Sequence, residues 1–174
     1  MLGKLQTTPA LDRPGLLAPS VIDALRTWNG DVHVAEIDPD LADTAAFCLE
    51  YDVKLEESAN CVVIAGKRGG ETRYAACVVL ATTRADVNGA VRRYLDVRKA
   101  SFASMDAATA ETGMEYGGIT PIGLPAGWPV LIDARVVAVP HVVIGSGVRR
   151  SKLVLPGPAL AELPAAEVIE DLAS

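Results

Sequence analysis

The stretch Gly117-Gly118-Ile119-Thr120-Pro121-Ile122-Gly123-Leu124-Pro125 carries the strongest local signal in this chain. Glycine opens backbone conformations closed to other residues, and proline fixes φ, so such a loop is permissive and stiff at once. Glycines let a backbone approach a ligand closely. The N–H groups it displays can bind a carbonyl or phosphate oxygen without any charged side chain. The same residues also suit a well-ordered turn between a helix and a strand, and spacing alone leaves both readings open.

Upstream of the loop, Ser104 caps a short helix that Gly113 ends. Arg98 to Ala103 alternates polar and apolar residues, as a half-buried strand does. Thr83-Arg84-Ala85-Asp86 reads as a capping box, followed by an apolar stripe of Val87, Val91, Tyr94 and Leu95. Asn60 to Gly66 and Thr72 to Ala81 form two apolar runs joined by Lys67-Arg68-Gly69-Gly70, a hairpin. Leu41 to Tyr51 is expected to be helical with Ala45, Cys48 and Leu49 inward, after a strand over Val32–Ile37. Ser20-Val21-Ile22-Asp23 reads as a first capping box on a helix stopped by Gly30.

Downstream, strands are expected at Pro129–Asp133, His141–Gly145 and Ser151–Leu155, a short helix at Pro158–Leu163, and an ambiguous last element at Glu167–Leu172. Hairpins mixed with helices, without strict β-α-β alternation, predict an α+β domain with a mixed, largely antiparallel sheet. Residues 1–18, broken by prolines, read as a loosely attached arm preceding one domain over 19–174.

The chain has 174 residues, half of them apolar and 22% charged, which suits one globular domain. Its net charge of −6 argues against coating nucleic acid by bulk charge. The charge is uneven: −5 over residues 1–83, +3 over 84–152 and −4 over 153–174. The only basic block is the one that contains the glycine-proline loop.

Cys48, Cys61 and Cys77 show no CxxC spacing, and only His33 and His141 could join them, so no metal site is expected. Their apolar surroundings and odd number fit reduced, buried thiols in a cytoplasmic protein. No signal peptide and no apolar run long enough to span a bilayer are seen. No G-x-S-x-G elbow, HExxH or phosphate loop occurs. His33 and His141 read as packed or surface histidines. Asp38, Asp40 and Asp43 read as residues that cap a helix and oppose its dipole.

The run LDVRKASFASMDAATAETGMEYGGITPIGLP, ending at Pro125, resembles the centre of the YbaK/prolyl-tRNA-synthetase-associated editing domain family. The family's GxxPxG element is matched by Gly118, Pro121 and Gly123, its strand ending in Asp by Asp133, and its small-residue turn by Gly145-Ser146-Gly147. LADTAAFCLEYDV and ANCVVI fit its helix and first core strand, and the resemblance covers about residues 30–172. It implies an α+β domain whose mixed sheet curls around a pocket. It also implies a freestanding trans-editing deacylase that hydrolyses the ester of a mischarged aminoacyl-tRNA without metal or cofactor. In that scheme the GxxPxG backbone positions the substrate carbonyl, with Ile119, Thr120, Asp133, Gly145, Ser146 and Gly147 lining the substrate site.

Family members carry a lysine at the start of the first core strand, where this chain has Ala59 or Asn60. Asn60 can hydrogen-bond a carbonyl or hydroxyl but supplies no charge. Either another cation substitutes, with Lys99 and Arg98 nearest in pattern, or the protein is a non-catalytic module that binds tRNA, a nucleotide or an aminoacyl-adenosine. Lys99, Arg149, Arg150 and Lys152 are candidates to meet phosphates of the tRNA acceptor end, and Tyr116 or Trp128 to stack on its terminal adenine. The expected partner is that acceptor end, with no DNA and no membrane, and the expected state is a monomer or homodimer.

Overall fold

A computed structural model describes residues 2–28 and 30–174. Its core is a five-stranded sheet built around the predicted hairpin. Strands β3 (Ala59–Arg68) and β4 (Glu71–Leu80) pair antiparallel over their full length. The turn is only Gly69-Gly70, with φ of 56° and 81°, values that glycine adopts freely and that match the twist of a tight hairpin. Lys67 and Arg68, expected in the loop, therefore lie in β3.

The chain then forms β5 (Lys99–Phe102), β6 (Val130–Asp133) and β9 (Ala166–Ile169), giving the order β5-β3-β4-β6-β9. The β4–β6 and β6–β9 pairs are parallel and the others antiparallel. A second, wholly antiparallel sheet contains β1 (Thr8–Pro9), β2 (His33–Glu36), β8 (Ser151–Leu155) and β7 (Val142–Gly145), in the order β1-β2-β8-β7. The mixed, largely antiparallel α+β organisation expected from sequence is thus divided between two sheets.

The segment Ala75–Leu80 of β4 is buried at every position because it packs on both faces. Val78 and Leu80 face a core shared with Leu153, Ile144 and Ile132. Cys77 and Val79 face a second core with Ile64, Val91, Leu95 and Leu131. Burial raises the Cys77 thiol to about 12, so it stays protonated and inert.

Helix α1 (Pro19–Thr27) takes Ala18 as its N-cap and Pro19 as its first residue, not Ser20 as expected. The Ser20 hydroxyl is buried without a partner. Helix α2 (Thr44–Tyr51) buries Phe47 and Cys48 and leaves Leu49 87% exposed, which corrects the inward face assigned from sequence. The second capping box also differs. Asp86, not Thr83, is the N-cap, and its carboxylate accepts from the N–H groups of Gly89 and Ala90. That turn leads into α3 (Arg92–Leu95). Helix α4 (Met105–Thr112) has Ser104 as N-cap and Gly113 as its left-handed C-cap, as expected. A short α5 (Ala134–Val137) follows β6.

Residues 2–18 are packed on the domain and do not form a loose arm. Leu5, Ala10, Leu16, Leu17 and Ala18 are buried. Lys4 donates its N–H to Tyr51 O, Ala10 to Val32 O, and Ala18 to Ser146 O. Prolines in this segment confine its regular structure to the two-residue β1 and two single turns of 3-10 helix, and do not prevent packing. Leu5→Ala is expected to destabilise the fold by roughly 2–5 kcal/mol, the usual cost of deleting a fully buried leucine side chain. A denaturant titration checks this; an unchanged midpoint would restore the loose-arm reading.

Candidate functional site

A cavity of about 310 Å³ opens where the start of β3 meets the ends of β7 and β8. Its floor comes from Ala59, Asn60, Cys61, Val62 and Val63 of β3. Its walls come from Ala42–Thr44, from Phe102, Ala103 and Ala108, and from Tyr116, Gly117 and Ile119 of the glycine-proline loop. Gly145 and Lys152 close the far side.

Three glycines bring the loop onto β7. A side chain at Gly145 would meet the carbonyl oxygens of Gly118 and Ile119 at 2.6 Å. One at Gly118 would meet the Val148 backbone at 2.7–2.9 Å. The Gly147 N–H donates to Gly118 O at 2.7 Å, and Gly147 has φ of +90°. Gly118 donates its own N–H to Glu115 O, so both its polar groups serve the scaffold. The N–H groups of Gly117 and Ile119 have no acceptor among the described residues. Both residues line the cavity, so their N–H groups, unlike that of Gly118, are left free to donate there.

Asn60 projects from the start of β3. Its Oδ1 accepts from the Thr44 hydroxyl at 2.7 Å, which turns its amide NH₂ to other partners. Lys152 enters from β8, a strand buried from Ser151 to Leu155. It is only 9% exposed. Its Nζ donates to Ala42 O at 2.9 Å and lies 5.2 Å from the centre of the Phe47 ring. An ammonium has three donors, and one is used here. Burial, with the nearby Arg149 charge second, lowers its pKa to about 8. It is therefore still mainly protonated at neutral pH.

Cys61 lines the same cavity, and burial pushes its thiol well above the usual range. Its thiolate is therefore scarce, which disfavours a covalent cysteine mechanism. The remaining wall, with Val63, Ala103, Ala108 and Ile119, is apolar.

Of the residues singled out in the sequence, the structure thus brings Asn60, Tyr116, Ile119, Gly145 and Lys152 to the cavity, with Gly118 and Gly147 holding the loop against Gly145. It separates the others. Pro121 and Gly123 line a different cavity of about 290 Å³ with Trp28, Leu124 and Trp128. A side chain at Gly123 would meet Ser20 O at 2.5 Å, so this glycine serves packing against α1. Thr120 is fully buried and its hydroxyl has no partner. Asp133 caps α5, accepting from the N–H groups of Arg135 and Ala173. Ser146 is buried in hydrogen bonds with Ser151 and Val148 O.

Arg149 reaches Pro39 O, Tyr116 O and Asp43, which ties two segments of the cavity rim together. Arg150 donates to Gly15 O at 2.6 Å. Lys99 lies exposed on β5. Tyr116 is exposed at the rim, whereas Trp128 stacks on Tyr74 with ring centroids 5.1 Å apart.

Thr44 and Phe102 carry no local mark that makes them neighbours of Asn60, and Asp43 reads in sequence only as the helix cap that it also is. Lys152 left a signal. A lysine inside the otherwise apolar run KLVL is almost never buried without a reason.

The fold is shared with known structures. A hypothetical protein, APE2540, superposes with a TM-score of 0.78 at 17% identity, covering 89% of this chain and 99% of that one. A candidate trans-editing enzyme for prolyl tRNA synthetase gives 0.74 at 22%, covering 88% and 97%. A scaffold used for epitope backbone grafting by computational design gives 0.75 at 23%, covering 88% and 95%. At these identities the likeness establishes the fold alone. No curated protein matches the sequence significantly. The model of the aminoacyl-tRNA editing domain matches residues 38–163, well over half of the chain, and the protein belongs to that family.

Proposed function

We propose that this protein is a trans-editing deacylase that hydrolyses the ester of a mischarged aminoacyl-tRNA, with Lys152 taking the place of the lysine absent from β3. The observation that carries the reading is Lys152 itself, a buried ammonium with donors to spare at the cavity that holds Asn60 and the Ile119 backbone.

The chemistry asked of the site is modest. Water adds to the ester carbonyl, negative charge develops on its oxygen, the acyl C–O bond breaks, and the ribose oxygen leaves with a proton. The proton passes from the attacking water to that oxygen, by way of the neighbouring ribose hydroxyl. Lys152 and the N–H groups of Gly117 and Ile119 supply donors for the developing oxyanion, the kind of fixed dipole and charge that lowers such barriers most. The Asn60 amide is suited to hold a ribose hydroxyl or the carbonyl. The apolar wall suits an uncharged aminoacyl side chain.

The test is a panel of mischarged tRNAs incubated with the full chain, following loss of the aminoacyl ester. Hydrolysis of at least one substrate is expected. Binding with every ester left intact at high protein concentration would select the non-catalytic module. Turnover of small esters without tRNA dependence would move the substrate class.

The pH profile gives a further prediction. Only protonated Lys152 helps the oxyanion, and its pKa lies near 8. The ratio of wild-type to Lys152→Met kcat/KM is therefore expected to be constant below pH 7 and to fall as pH rises through about 8. A ratio that stays flat across that range would remove the charge from the mechanism.

A further inference from the structure

A second feature lies beside the cavity, on β3 and β5. In the β3–β5 register Lys67 lies directly opposite Lys99 and Ala65 opposite Ser101, while Ala103 donates its N–H to Val63 O. Cross-strand partners share a sheet face, so Val63, Ala65 and Lys67 line one face with Ala103, Ser101 and Lys99. Val63 and Ala103 belong to the cavity. The small Ala65 and Ser101 therefore form a shallow step leading outward to the lysine pair, about 13 Å from the cavity wall at the usual rise per strand residue.

Like charges directly opposite in a sheet are unfavourable. Lys67 and Lys99 are both exposed, and neither has an ionic partner among the described residues. Arg68 and Arg73, on the opposite face of the same sheet end, are paired with Asp96 and Glu71. Of the other cations read as phosphate contacts, Arg149 and Arg150 hold carbonyl oxygens of the fold, and Lys152 is buried.

We propose that the single-stranded 3′ end of the RNA substrate leaves the cavity across Ala65 and Ser101, and that Lys67 and Lys99 hold its phosphates. This rests on the deacylase reading for the identity of the ligand, but its test does not depend on turnover. A short single-stranded RNA ending in CCA and carrying a fluorescent label is titrated with the full chain by anisotropy, over a series of salt concentrations.

The double variant Lys67→Ala/Lys99→Ala is expected to bind roughly tenfold more weakly. Its salt dependence should be shallower by about 1.4 in the log–log slope, the loss of two single-strand phosphate contacts. A control that removes the same charge elsewhere, Lys4→Ala/Arg26→Ala, should keep the wild-type slope. Equal slopes for wild type and the Lys67/Lys99 variant overturn the proposal, as does an equal loss in the control. So does a wild-type chain that does not bind the strand. Hydrolysis is measured separately on mischarged tRNA. Binding by this route without hydrolysis would refute the deacylase reading and leave the RNA track standing. Hydrolysis with an unchanged slope would do the reverse.

Discussion

Replacing Lys152 by methionine is expected to lower kcat/KM for deacylation by about a hundredfold or more, the usual effect of removing one donor from a developing oxyanion. The loss should fall mainly on kcat, because the charge matters most where negative charge develops. Stability should move the other way, or not at all. Burial holds the lysine near pH 8 instead of 10.5, so the folded state disfavours its charge. Below about pH 8 that penalty is fully present; between pH 8 and 10.5 it is relieved, because the unfolded chain binds the proton and the folded one does not. Methionine removes the penalty and keeps a contact with the Phe47 ring. Thermal unfolding of the two proteins from pH 7 to 10 should show the wild type gaining on the variant as pH rises. A variant that keeps full activity would refute the assigned role. A variant that unfolds would point to Lys152 as a scaffold residue joined to Ala42.

The second large effect is expected at Gly145. A valine there would bring its Cβ to within 2.6 Å of the Gly118 and Ile119 carbonyl oxygens. Both are backbone atoms of a loop already fixed by hydrogen bonds from Gly147 and to Glu115, so neither can move aside cheaply. Gly145→Val is expected to cost about 3 kcal/mol of stability, at the upper end of what overpacking usually costs, and to abolish deacylation. Ile119 would be displaced from the cavity wall along with its carbonyl. Gly15→Ala, which meets nothing within 4 Å, is the control and should change stability by no more than about 0.5 kcal/mol. Equal midpoints for Gly145→Val and wild type in a denaturant titration would show that the loop is free to shift.

Much of this molecule is legible in one dimension. The hairpin follows from two apolar runs around Gly69-Gly70, and helix α4 from Ser104 and Gly113, because turns and caps are local chemistry. The inward face of α2 is not legible in sequence, because Leu49 and Phe47 are both apolar and only the packed neighbours decide between them. Ser20 and Thr83 have the spacing of a capping box. Pro19 and Asp86 started the helices instead, since a proline at the first turn and a free carboxylate compete for the same role.

Sequence by itself determined the α+β class, the central hairpin, most of the strands and helices, and the glycine-proline loop, all set by residues within a few positions of one another. It also determined that β3 begins without a lysine. Only the tertiary structure decided which cation lies at the cavity where that strand begins. Asn60 and Lys152 lie 92 positions apart on strands of different sheets, and no local pattern links them. They share a cavity because the glycines at 118, 145 and 147 let the loop close onto β7 beside β8. The same folding divided the GxxPxG element, leaving Ile119 at the cavity while Pro121 and Gly123 packed elsewhere. Proximity of that kind is fixed by the packing of the whole chain, which no short stretch of it encodes.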